Sequence, residues 1–110
     1  MKKMVYICAP IPEGPDESIA QLKRYTRYVL QCGAAPVAPH FYQLCMPENA
    51  KDRKEAIRSA SRSLLWNCDE VWVFGNERTE NMAAELDFCK TLNLKTRKIP
   101  ESLVRKGIKP

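Results

Sequence analysis

Glu85 sits where a helix should bury carbon. Wound at about 100° per residue, TENMAAELDFCKTLN (residues 79–93) puts Met82, Leu86, Phe88, Cys89 and Leu92 on one broad arc. Asp87, Lys90 and Thr91 fall on the other side, and Glu85 lands inside the apolar arc, between Leu92 and Cys89. An ionised carboxylate facing a core is strongly disfavoured unless it is paired, hydrogen-bonded or protonated. Three readings follow from the spacing: a bond to a tyrosine or to backbone, a water-filled pocket, or a helix rotated to expose the residue. Tyr6 bears on the choice, because a buried phenol needs a partner, and a carboxylate held by a phenol is oriented for nucleophilic attack. An ordinary core tyrosine is the competing reading. Thr79 is a good N-cap, and a capped helix start is also a natural phosphate site. Arg53 shares the inner phase of an earlier helix, and arginine is rarely buried without an anion, although snorkelling from the helix end explains it equally well. His40, the sole histidine, follows a strand and has no metal partner in sequence.

The elements that must carry these residues alternate along the chain. MVYIC (4–8) is a short buried strand, followed by the Pro/Gly-rich loop APIPEGP. A helix is expected over about 16–31, with Ile19, Leu22, Thr26, Val29 and Leu30 inward and Gly33 at its C-terminal cap. A second strand over 35–38 contains Pro36, which predicts an edge position. FYQLCMPEN (41–49) reads as a loop of lid-like length. A second helix spans about 50–67, with Ala56, Ile57, Ala60 and Leu64 inward. EVWVFG (70–75) is the clearest strand, and the helix bearing Glu85 follows it over about 80–92. LKTRKI (94–99) predicts a fourth strand, and PESLVRKG (100–107) a short closing helix. Such alternation predicts an α/β fold with a parallel sheet and helices on both faces. Ligands bind such sheets beyond the carboxyl ends of the strands, where APIPEGP, PHFYQL and GNERTEN emerge.

Composition limits the function classes. A chain of 110 residues predicts a single domain, residues 1–110. No apolar run approaches the roughly 20 residues of a membrane span, and MKKMVYICAP reads as a first strand rather than a signal peptide. The five cysteines form no C-x-x-C pair, which argues against zinc and for a reducing, cytoplasmic setting. No metal or cofactor is expected. The net charge of +5 reads as a solvated surface, with attraction to anionic ligands such as nucleotides as the sharper possibility. Nucleic-acid-binding signatures are absent, so neither a nucleic acid nor a membrane is expected as partner.

Taken together, VYICAP, GAAPVAPHFY, LLWNCDEVWVFG and TENMAAELDFCKTLN resemble the nucleoside 2-deoxyribosyltransferase-like superfamily, and most nearly its DUF4406-type group of small proteins. The resemblance runs from Met4 to about Ile99 and implies a Rossmann-like, flavodoxin-like three-layer fold with a parallel sheet of four or five strands. It also implies a homodimer or larger homo-oligomer. Such enzymes break the N-glycosidic bond of deoxynucleosides or their monophosphates through a glutamate nucleophile. By resemblance Glu85 is that glutamate, Tyr6 the tyrosine that orients it, and Thr79, six before it, a phosphate-holding hydroxyl. Ala9 and Pro10 after the first strand, His40 and Arg53 after the second, and Gly75, Thr79, Asn81 and Met82 after the third are the candidate substrate contacts. The chain departs from the pattern at Asn81, where the enzymes carry glycine, and at Ser61 and Thr79, where deoxyribosyltransferases carry aspartates. The strand-one loop also lacks the arginine of phosphate-preferring relatives. The implied activity is that of a nucleoside or nucleotide 2-deoxyribosyltransferase or N-glycosidase. The alternative is a protein that binds and sequesters a nucleotide or an ADP-ribose-like ligand without turnover.

Overall fold

The structure, a computed structural model, describes residues 1–11, 14–47 and 49–110. Pro12 and Glu13 of the first strand-end loop and Glu48 of the second lie outside them. Four parallel strands, β1 (Met4–Cys8), β2 (Ala35–Val37), β3 (Glu70–Phe74) and β4 (Lys95–Ile99), form one sheet in the order β2-β1-β3-β4. Helix α1 (Pro15–Gln31) joins β1 to β2. A 3-10 turn (Pro39–Phe41), a one-turn α2 (Tyr42–Cys45) and α3 (Arg53–Trp66) lead to β3. Helix α4 (Glu80–Thr91) leads to β4, and α5 (Glu101–Lys106) follows.

Side chains alternate across a strand, so the central strands β1 and β3 each feed two cores. Val5, Ile7, Trp72, Phe74 and Ile99 pack with Tyr25, Tyr28 and Val29 of α1 and, at their margin, Leu103 and Val104 of α5. Tyr6, Cys8, Val71 and Val73 pack with Leu65 of α3 and Met82 and Cys89 of α4. The order reverses direction between β1 and β3, because β2 lies on one side of β1 and β3 on the other. In open α/β sheets such a switch point, beyond the carboxyl ends of the strands, is where ligands bind. This is the three-layer α/β fold expected, with four strands.

The differences are local. Leu30 is 52% exposed, and Tyr25 and Tyr28 take the core positions instead. Tyrosine can bury its ring and keep its hydroxyl bonded: Tyr25 stacks on Phe74 at 4.4 Å between centroids, and Tyr28 Oη donates to the Ile108 carbonyl at 2.7 Å. Helix α3 starts at Arg53 rather than near Ala50, because Asp52 adopts a left-handed backbone (φ 62°) that stops helix propagation. Leu65, not Ala56, is its fully buried residue. The expected loop over 41–49 begins with the 3-10 turn, with Pro39 at its start, and continues into α2. Gly33 lies in the left-handed region (φ 85°) after α1, with Ala34 N donating to Val29 O at 3.2 Å and Gly33 N to Leu30 O at 3.0 Å. This is the Schellman closure that glycine permits. Strand β2 is an edge strand, as Pro36 required.

Candidate active site

Tyr6 is the third residue of β1 and points to the α3/α4 face. On α4, Met82, Glu85 and Cys89 follow at helical spacing along one stripe, with Met82 and Cys89 buried on either side of the carboxylate. The helix is anchored at its start by Thr79, whose hydroxyl accepts from Met82 N at 3.1 Å. This register brings Glu85 onto β1, where the Tyr6 hydroxyl donates a hydrogen bond to Glu85 Oε2. The carboxylate is thus paired with a phenol across the sheet's switch point. Ser61 of α3 also lies within hydrogen-bond reach of the Tyr6 hydroxyl.

Burial governs the electrostatics. It pushes the Glu85 carboxyl up to about 7, against the opposing effect of the Tyr6 bond. It also drives the Tyr6 phenol far above its ordinary value, reinforced by the charge of Glu85. The Cys8 thiol rises for the same two reasons, with Arg78 opposing, and the Cys89 thiol is pushed up to about 11. Glu85 is therefore the group of this cluster that titrates near neutrality, and its neighbours stay protonated there. Among the described residues, no group of three or more metal-ligating side chains exists.

The other expected contacts are dispersed. Pro10 and Gly75 meet where β1 and β3 end: a Cβ on Gly75 would lie 2.9 Å from Pro10 Cγ, and Gly75 has φ 76°. Gly75→Ala is accordingly expected to destabilise the fold by about 1–2 kcal/mol from the left-handed backbone alone, with the ring contact adding to it. Urea denaturation midpoints check this. Thr79 and Asn81 are exposed at the start of α4. Two expected contacts turn out to be core residues. Ala9 packs in the opposite cluster, against α1, because it falls on the other side of the strand alternation. Met82 is fully buried, because it holds α4 to the sheet. His40 and Arg53 lie in the segments after β2, and the Arg53 guanidinium donates to the Gln43 carbonyl at 3.0 Å. Cys8, Cys89 and Arg78 were not anticipated. Cys8 was legible as i+2 from Tyr6 on the same strand face, and Cys89 as i+4 from Glu85 on the helix. Arg78 carries no such signal: the loop fold places it, with its guanidinium on the Glu77 carbonyl at 2.9 Å.

Similarity to known proteins agrees with this architecture. A solved 2-deoxyribosyltransferase from the psychrotolerant bacterium Bacillus psychrosaccharolyticus superposes with a TM-score of 0.71, covering 96% of this chain and 82% of that one at 11% identity. At that identity the likeness is one of fold. No curated protein matches the chain significantly. The DUF4406-type grouping expected from the motifs is not shown by the family model. Residues 3–99 match the domain of unknown function DUF7768, and the chain belongs to that family.

Proposed function

We propose that the protein is a nucleoside or nucleotide 2-deoxyribosyltransferase or N-glycosidase with Glu85 as nucleophile. The observation that carries this reading is the Tyr6–Glu85 hydrogen bond, which orients a half-buried carboxylate on the α3/α4 side of the sheet. The likeness of fold to a 2-deoxyribosyltransferase supports it. In the proposed reaction a Glu85 oxygen attacks the anomeric carbon, and the bond from that carbon to the base nitrogen breaks with its electron pair leaving on the base. Thr79 and Ser61 are hydroxyl residues rather than acids, so the base takes its proton from solvent. The resulting glycosyl ester is opened by water, which gives the free sugar, or by a second base, which gives a new nucleoside. Tyr6 holds the carboxylate in line for attack and lowers its pKa against the pull of burial.

Release of free base from deoxynucleosides and deoxynucleoside monophosphates, followed chromatographically between pH 5 and 9, tests the reading. No release from any of them would overturn it. Tyr6→Phe removes a hydrogen bond to a charged group, worth roughly 1.5–3 kcal/mol, so kcat/KM is expected to fall about 10- to 100-fold. Attack requires the carboxylate, so the rate rises with pH through about 7 in the wild type. In Tyr6→Phe that rise moves to higher pH, because the bond that lowers the Glu85 pKa is gone.

A further inference from the structure

Ser61 is a polar residue on the inward side of α3. It precedes Leu64 and Leu65 by three and four residues, the spacing of one helix face. Both leucines belong to the core that α3 and α4 share over the sheet, and Ser61 is half-buried. The next residue ties the two helices together, since the Arg62 guanidinium lies over the Phe88 ring of α4 at 5.5 Å. A serine within a helix has a local partner at hand, the carbonyl four residues earlier. Ser63 takes it, donating to Ser59 O at 3.2 Å. Ser61 makes no such bond among the described residues. Its hydroxyl lies instead within hydrogen-bond reach of the Tyr6 hydroxyl.

Proton accounting fixes the direction. A phenol carries one proton, and Tyr6 gives it to Glu85 Oε2. Ser61 can therefore only donate, to the lone pairs of the phenol oxygen. Burial and the Glu85 carboxylate raise the pKa of the phenol, and Ser61 lowers it, as a donor does. An oxygen that accepts a hydrogen bond becomes a stronger donor in turn. The other groups around the carboxylate leave this part to Ser61. Cys8 and Cys89, from β1 and α4, are thiols whose pKa values Glu85 helps to raise. Arg78 acts on Cys8, and Arg62 of α3 is engaged on Phe88. We propose that Ser61 is a positioning residue of this site: it donates to Tyr6 Oη and holds the phenol so that its proton stays on Glu85. Ser61 acts through Tyr6 alone. Its part in base release rests on the reading of Glu85 as the nucleophile, whereas its effect on the carboxylate does not.

The test follows the Glu85 carboxyl carbon by 13C NMR between pH 5 and 9, in the full chain with labelled glutamate. The signal is assigned by its loss in Glu85→Gln. The wild-type midpoint is expected near 7. Ser61→Ala should move it upward by on the order of 0.5 pH unit, and Ser61→Thr, which keeps the hydroxyl, should bring it back. With Tyr6→Phe already in place, Ser61→Ala should move it no further, because the chain is already cut. An unchanged midpoint in Ser61→Ala, or the same upward shift with and without the Tyr6 hydroxyl, overturns the proposal. Base release is a separate readout, and its rise with pH should track the NMR midpoint in each variant. If no release is seen while the midpoint still responds to Ser61 through Tyr6, the nucleophile assignment falls and the positioning role stands.

Discussion

Glu85→Gln is expected to abolish base release and, at the same time, to make the protein more stable at neutral and alkaline pH. Activity falls because an amide cannot form the glycosyl ester. A loss on the order of 10³-fold or more in kcat is expected for a residue that makes the covalent bond. Stability rises because the native carboxylate is held in an unfavourable place. Burial lifts its pKa from 4.5 to about 7. Below about pH 4.5 the group is protonated in the folded and unfolded chain alike and contributes nothing. Between about 4.5 and 7 only the unfolded chain gives up the proton, so stability falls as pH rises through this window and levels off above it. The deficit above pH 7 is on the order of 3 kcal/mol, and glutamine, which does not titrate, removes it. Denaturation of wild type and variant at pH 4.5 and pH 8 checks this: the two proteins should differ mainly at the higher pH. An equal difference at both would mean that Glu85 is not desolvated in the fold.

At the other end of the sheet the opposite outcome is expected. Glu70 opens β3 and is 4% exposed, yet it is ionised. Burial alone would raise its pKa, but hydrogen bonds from Lys3 (2.9 Å), Trp72 Nε1 (3.2 Å) and Arg97 (2.9 Å) hold it at about 2. A carboxyl with a lowered folded pKa stabilises above its unfolded value of 4.5, and that contribution disappears as pH falls towards about 2. Its full size is at most about 3 kcal/mol, reduced because Lys3 and Arg97 are partly in water. Glu70→Gln keeps an acceptor for Trp72 but loses both ion pairs. The variant should be less stable than wild type at pH 6, and the two should converge as pH approaches 2. The combined contribution of these two glutamates is greatest near pH 4.5 to 5, below the pH at which Glu85 is ready to attack.

Much of this arrangement was legible from residue spacing. The strands 4–8 and 70–74 announce themselves as unbroken apolar runs, and Pro36 marks an edge strand because proline cannot serve a central ladder. Glu85 was conspicuous because one carboxylate broke an apolar stripe. Spacing failed where a side chain is both apolar and polar. The expected inner face of α1 does not include Tyr25 and Tyr28, yet their rings fill the core against Phe74. It also failed at the start of α3, where a single left-handed aspartate decides the boundary. Among the site residues, the Tyr6–Glu85 contact depends on β1 and α4 meeting across 79 positions of sequence, which only the sheet order provides. Ala9 looked like a loop contact, but strand alternation carries one residue past Cys8 and buries its methyl on the far face.

The proline in β2 has a consequence for how this molecule meets others. Ala35 N donates to the Lys3 carbonyl, so it points inward to β1. Alternation then turns position 36 outward, where an amide would face solvent, and proline has none. The three-residue rim of β2 thus lacks its central donor. The opposite rim, β4, carries Lys95, Arg97 and Lys98. Neither margin invites an added strand, so fibril-like stacking and peptide capture by strand addition are both discouraged. The helical faces carry no such deterrent to association.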